Sequence, residues 1–284
     1  MNMGSIHGLA PASWSEVAKQ RLLAVPGEPL AVVEWHRPLF LNYELDPDAV
    51  RRQLPRPFEL DLWRGRAIVS LVALTKRRFR PTDTAPLWAS LLPLLTGQRF
   101  FNVRTYVRHR EEPGTFFFWS WLSRPWNLPL PDRPLGLTCA FADSTYQHRH
   151  ESGELRGVVA AKAGLERFVY EARFAPENGF APCPPGSLGE FALERYTGYF
   201  WHRGAGRVFR AWHPPWQRAI VEAAIEADGL VTRTFPWLHE ARLLEANYSA
   251  GFADVWLGRP QALGSTTRND RRRRHGASSF FEMP

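Results

Sequence analysis

Cysteine is almost absent: of 284 residues only Cys139 and Cys183 carry a thiol, far apart and in no paired spacing. That excludes a disulfide framework and a Cys-rich metal site, and makes a reducing compartment the expectation. Long apolar runs are missing as well. No stretch reaches the ~18 apolar residues of a membrane-spanning helix. Residues 1–11 hold no basic segment followed by an apolar one, so a cytoplasmic location without a membrane partner is expected. Lysine is scarce: Lys19, Lys76 and Lys162 are the only three among 36 basic residues, so the net charge of +8 rests on arginine. Five of those arginines, against Asp270 and Glu282, fall in 264–284, which makes the total charge weak ground for a nucleic-acid partner. No Ser nucleophile elbow, P-loop or dinucleotide fingerprint occurs. No cofactor and no metal are implied.

What the chain has in quantity is aromatic surface. Twelve Trp and 19 Phe within a 44% hydrophobic composition supply a large core and suit strands better than helical bundles. Residues 30–36, 67–74, 100–108 and 115–122 read as strands, the last two joined by the Glu111-Glu112-Pro113-Gly114 turn. Further hairpins are expected over 155–162 with 167–174, around Gly164, and over 200–202 with 207–212. Capped helices are expected at 13–24 (Ser13, Glu16), 46–54 (Asp46, Pro47) and 188–195 (Ser187, Glu190), with another at 216–228 on an Ile220, Ala223, Ala224 face. Many short strands and few helices argue against alternating βαβ units. The class expected is mainly β with a few helices (α+β): an antiparallel barrel or sandwich. Residues 1–29 read as a helical lead-in, 30–263 as one domain, and 264–284, with Arg271–Arg274, as a disordered Arg-rich tail.

Several strings together resemble the YqjF-like family (domain of unknown function 2071) of the acetoacetate-decarboxylase-like superfamily. They are Phe40-Leu-Asn-Tyr-Glu-Leu-Asp-Pro-Asp48, Asn102-Val-Arg-Thr-Tyr-Val-Arg108, Pro185-Gly-Ser-Leu188 running on to Leu193-Glu-Arg-Tyr196, and Ala211-Trp-His-Pro-Pro-Trp216. The resemblance implies an antiparallel acetoacetate-decarboxylase-like β-barrel with packed helices and a central cavity. It also implies what is lost. The decarboxylase works through a Schiff-base lysine beside a second lysine, and in the comparable stretch here, Leu135-Gly-Leu-Thr-Cys-Ala-Phe-Ala142, Cys139 and Ala140 stand in their places. Amine-dependent decarboxylation by this chain is therefore not expected.

The alternation of 102–108 puts Asn102, Arg104, Tyr106 and Arg108 on one face. Two readings stay open for it: a cavity wall where Arg104 clamps an anionic or carbonyl-bearing ligand, or a polar outer face with its Arg tied to a carboxylate such as Glu194. Candidate ligand-binding residues are Asn102, Arg104, Tyr106, Arg195, Tyr196 and Trp216. Candidate catalytic residues are Glu194 and His213 as acid or base, and Cys139, whose bland reading is a small buried side chain. His148 and His150 share a face if extended but find no third ligand. Three functions follow from these candidates: a binding protein for a small organic acid or aromatic ligand without Schiff-base catalysis, a lyase, hydratase or isomerase using Glu194 or His213, and an interaction protein acting through its tail. Homo-oligomerisation stays open.

Overall fold

Ser13 starts the first helix, α1 (Trp14–Leu23), by accepting the Glu16 N–H on its hydroxyl at 3.2 Å. The helix belongs to a computed structural model that describes residues 13–123, 139–161, 166–202 and 204–264. The strands that follow are β1 (Ala31–Leu45), β2 (Glu59–Leu60), β3 (Ala67–Pro81), β4 (Gln98–His109) and β5 (Glu112–Leu122), with α2 (Pro47–Arg51) after β1. Then come β6 (Cys139–Arg149), β7 (Glu154–Ala161), β8 (Arg167–Arg173) and β9 (Ala181–Pro182), α3 (Leu188–Leu193), β10 (Thr197–His202), β11 (Ala205–Trp212) and β12 (Gln217–Ala227). The chain continues through α4 (Gly229–Thr234), β13 (Arg242–Tyr248), β14 (Gly251–Leu257) and β15 (Gln261–Ala262).

The pairing closes the sheet twice. β1, β3, β4 and β5 form one continuous wall. β13, β12, β8, β7 and β6 run from β1 round to β5, making a nine-strand ring. β14, β11 and β10 join the same two strands on the other face, making a seven-strand ring. Both closures use the free edge of β5: β6 at Ser120–Leu122 and β10 at Thr115–Phe117, each parallel to it. The expected sheet is antiparallel, and these two junctions depart from it because one strand edge receives two different returning strands.

A wall shared by two rings has no solvent face, so every residue from Ala67 to Leu74 is buried. Ala67, Val69, Leu71 and Ala73 join the nine-strand core with Phe101, Trp121 and Phe168, while Ile68, Val72 and Leu74 face the other ring with Phe40, Phe100 and Trp216. Leu188, Ala192 and Leu193 of α3 are buried against that second cluster. Among the described residues no helix is long and apolar enough to cross a membrane.

One expectation is overturned. Residues 217–227, read as a helix, form β12, hydrogen-bonded to β8, β9 and β13. Ala and Glu favour helix by only tenths of a kcal/mol per residue, too little against three ladders of pairing. Val221 is buried and Ala219, Ala223 and Ile225 on its face are partly buried, alternating with exposed neighbours, while Ile220, taken for the apolar helix face, is 57% exposed. Gly229 accordingly opens α4 rather than closing a helix. The turn around Gly164 and most of the 264–284 tail lie outside the described residues.

Candidate functional site

The seven-strand ring encloses a cavity of ≈ 80 Å³, lined from the shared wall by Phe40, Val72, Lys76, Asn102 and Arg104 and closed opposite by β10 and β11. Gly198 sets its width. A Cβ there would lie 2.3 Å from the Phe209 ring, so only glycine lets that ring lie against β10. Gly198→Ala is expected to cost about 1–3 kcal/mol by overpacking, read as a lowered thermal midpoint. Phe209→Leu in the same chain should recover part of that loss.

Arg104 enters this cavity opposite an irregularity in the β4–β5 register between Val103 and Arg104. Its guanidinium stands 5.1 Å from the Phe40 ring and, among the described residues, its Nη2 donates to the Ala192 carbonyl, at 3.4 Å. Its Nε–H is buried without a hydrogen-bond partner, and among the described residues no carboxylate pairs with it. The indole N–H groups of Trp35 and Trp216, two more lining residues, are also buried and find no partner among the described residues, nor does Oδ1 of Asn102. Buried donors are normally satisfied, because leaving one bare costs about 1–3 kcal/mol.

Lys76 stands on the same face of the wall as Val72 and Leu74, its ammonium 3.9 Å from the centre of the Phe100 ring. It makes no ion pair among the described residues, and burial pulls its pKa down to about 8. Arg104 pairs with Ser70 and Lys76 with Gln98, six residues apart along β3, and both side chains line the cavity, Arg104 against Phe40 and Lys76 against Phe100.

With two unbalanced cations in an apolar ring established, the family follows from residues 32–247, which match the model for DUF2071, described as an uncharacterized conserved protein. This chain belongs to the DUF2071 family. It is 26% identical over 244 residues to the uncharacterized protein YqjF of Bacillus subtilis (strain 168), spanning 80% of this chain and 94% of that one. Its fold is similar to acetoacetate decarboxylase from Legionella pneumophila, with a TM-score of 0.60 at 11% identity over 93% of this chain and 98% of the other. It is also similar to the enduracididine biosynthesis enzyme MppR complexed with pyruvate, at TM-score 0.56 and 15% identity, covering 84% and 92% of the two chains.

Within this DUF2071 chain the residues singled out from sequence divide by position. Asn102, Arg104, Arg195, Tyr196 and Trp216 line the cavity. Arg195 is already engaged: its guanidinium pairs with Asp61 at 2.9 Å, its Nε–H donates to the Phe191 carbonyl at 2.6 Å, and Arg108 shares the same Asp61. Tyr106, on β4, packs with Phe40 and Ile68 outside the cavity lining, its hydroxyl 2.5 Å from Ser70, which donates to Asn42 at 2.6 Å.

Glu194 holds the corner after α3 together. It accepts the Trp216 N–H at 2.7 Å and the Tyr196 hydroxyl, and burial raises its pKa. His213 lies behind Tyr196, stacked on it at 4.6 Å and on Phe252 at 5.2 Å. Its pKa is pushed down to about 4 by burial, so the ring is neutral at pH 7, with Nδ1 2.7 Å from the Pro214 carbonyl oxygen. Cys139 opens β6 beside Ser120 and packs on the Phe100–Leu122 cluster, outside the cavity lining. His148 has both nitrogens engaged, with the Arg37 carbonyl at 2.7 Å and the Tyr170 hydroxyl at 2.8 Å. Lys162 lies outside the described residues.

Lys76 was legible only in part. The apolar run stops at Leu74 in sequence because Thr75-Lys-Arg-Arg78 follows, yet β3 continues to Pro81. Even positions keep facing the seven-strand ring, and the amine goes with them.

Proposed function

We propose that this chain binds a small carbonyl-bearing organic acid inside the seven-strand ring, with the carboxylate on Arg104. The observation that carries the reading is a guanidinium in an apolar cavity without a counter-ion among the described residues, flanked by unpartnered indole N–H groups of Trp35 and Trp216. An anion with several acceptor oxygens supplies what each of these donors lacks. The size of the cavity narrows the class. At roughly 10–15 Å³ per water-sized atom, ≈ 80 Å³ suits a molecule of a few carbons. The MppR fold neighbour complexed with pyruvate supports the same class.

Lys76 favours a second, covalent reading of the same site. In its neutral form the Lys76 amine, which lines the same cavity, attacks the carbonyl carbon of a 2-oxo or 3-oxo acid held there. Attack by the Nζ lone pair gives a carbinolamine, and loss of the former carbonyl oxygen as water gives an imine. Acid–base chemistry by Glu194 or His213 has less support, since Glu194 bonds Tyr196 and Trp216 and His213 lies behind Tyr196.

Calorimetric titration with short 2-oxo acids and with their amides tests the binding reading. The acids should bind and the amides should not; equal affinity for both would remove Arg104 from the site.

A further inference from the structure

On the opposite face of the shared wall, at the mouth of the nine-strand ring, is a wider polar cleft of ≈ 630 Å³. Adjacent residues look into different rings: Lys76 lines the cavity described above and Arg77 lines this cleft. His36 of β1 pairs with Thr75 of β3, which pairs in turn with Arg99 of β4, so His36, Thr75 and Arg99 form one row across the wall. Arg77, two residues beyond Thr75, is the diagonal neighbour of Arg99, and such neighbours stand about 7–8 Å apart, within reach of long side chains. Tyr146 and His148 of β6 line the same cleft.

The charge here is one-sided. Arg37, Arg77, Arg99 and Arg149 line the cleft with one lining carboxylate, Glu151, which pairs with Arg37 at 3.0 Å, while just outside the lining Glu154 pairs with Arg149 and Glu34 stands 3.5 Å from the His36 ring. Arg77 and Arg99 have no ion-pair partner among the described residues. Two guanidiniums held as diagonal neighbours repel one another unless an anion lies between them. The field acts on the ring nitrogens too. Burial first, then Arg77 and Arg37, lowers the His36 pKa to about 4, and burial leads for His148, also lowered to about 4.

Two further features fit a ligand. The Tyr146 hydroxyl is buried at this polar cleft, next to the Ser144 side chain and within the field of Arg99. Arg37 keeps a left-handed backbone, φ 50°, which is uncommon for a residue with a Cβ. It is held by donation from its side chain to the His148 carbonyl and by the bond between its own carbonyl and His148 Nδ1. Such a conformation persists where its surroundings over-determine it.

We infer that the cleft is a second binding site, distinct from the cavity that holds Arg104, and that it takes a phosphate group, free or as the monoester of a small molecule. A carboxylate has two oxygens and is satisfied by one guanidinium fork. A dianionic phosphate has three acceptor oxygens, enough to bridge Arg77 and Arg99 and still accept a hydrogen bond from Tyr146. The volume leaves room for the rest of a monoester, which the 80 Å³ cavity does not.

Inorganic phosphate and glycerol phosphate are the probes, against chloride at matched ionic strength, on the full chain and on Arg77→Gln/Arg99→Gln. Arg77 is exposed, so the double variant should unfold at a similar temperature to wild type when no ligand is present. Phosphate should raise the wild-type midpoint by several degrees where chloride does not, and the double variant should lose that rise. NMR of the His36 ring is a second readout independent of stability: phosphate in the cleft should shift its signals and raise its pKa. A larger effect of glycerol phosphate than of phosphate assigns the monoester, and the reverse order assigns the free ion. Equal responses to chloride and phosphate, or a rise that survives the double variant, would overturn the site. The control is Arg104→Ala, which should leave the phosphate response unchanged. Loss of oxo-acid binding in that variant alone concerns the other cavity and not this one.

Discussion

Arg104→Ala is expected to weaken binding of a short 2-oxo acid roughly ten- to hundredfold. The estimate rests on a charge-assisted hydrogen bond in an apolar enclosure, worth about 1.5–3 kcal/mol, converted at 1.4 kcal/mol per factor of ten. The cavity offers no substitute. Arg195, the other guanidinium in its lining, is paired with Asp61, and the Lys76 ammonium is held against the Phe100 ring, six residues along β3 from the Ser70 that pairs with Arg104. Arg104→Lys should restore less than the full affinity, because an ammonium keeps the charge but loses the two-pronged fork. Without ligand the alanine variant should be at least as stable as wild type, since the substitution removes a buried cation that no described carboxylate balances. Calorimetry and thermal unfolding check both statements. Unchanged affinity in the alanine variant, with the protein still folded, would end the assignment of Arg104.

The second large effect concerns Lys76 and has a thermodynamic and a chemical part. A lysine pKa lowered in the folded chain means that the folded state releases its proton first as pH rises. Below about 8 the amine is charged in both the folded and unfolded states, and its burial costs stability. Between there and the ordinary lysine value the unfolded chain binds the extra proton, so stability rises with pH and the cost disappears. Lys76→Met should therefore be the more stable protein at pH 7, by roughly 1–3 kcal/mol. That advantage should shrink toward zero by pH ~10.5, as read from urea midpoints of the two proteins at each pH. A constant difference across this range would mean that the amine is solvated.

The chemical part follows from the same proton. With a pKa of about 8, roughly a tenth of Lys76 is neutral at pH 7, against fewer than one in a thousand for an ordinary lysine. Incubation with a 2-oxo acid and borohydride should reduce the imine to a secondary amine. The chain then gains the mass of the acid less one oxygen, located at Lys76 by peptide mapping and missing from Lys76→Met. Binding by calorimetry without a trapped adduct would leave the Arg104 site standing and discard the covalent reading.

Local chemistry was readable in the sequence wherever a few neighbouring residues suffice. Ser13 and Glu16, Asp46 and Pro47, and Ser187 and Glu190 placed three helix starts, because a cap is decided within four residues. The alternation of 102–108 put Asn102 and Arg104 on one face, and the structure places both in a cavity wall. The resemblance put Cys139 and Ala140 where the decarboxylase carries its lysine pair, but the sequence did not show where else an amine would enter the barrel. An amine returns to the seven-strand ring from β3, carried there by a strand that outruns its apolar segment.

What only the tertiary structure decided depends on partners distant in the chain. Residues 217–227 have the composition of a helix and became a strand because β8, β9 and β13 supply the hydrogen bonds. The two faces of the wall are both apolar in sequence, and nothing local says that one looks into a nine-strand ring and the other into a seven-strand ring. That depends on β6 and β10 returning to opposite ends of one edge of β5, 17 residues and 76 residues after β5 ends at Leu122 if counted from Leu122 to Cys139 and from Leu122 to Gly198. By itself the sequence determined the strands, the caps and the residue types on each face. Which charges share a cavity was decided by ring closure, because side chains on one strand face meet only those that the long-range pairing brings opposite them.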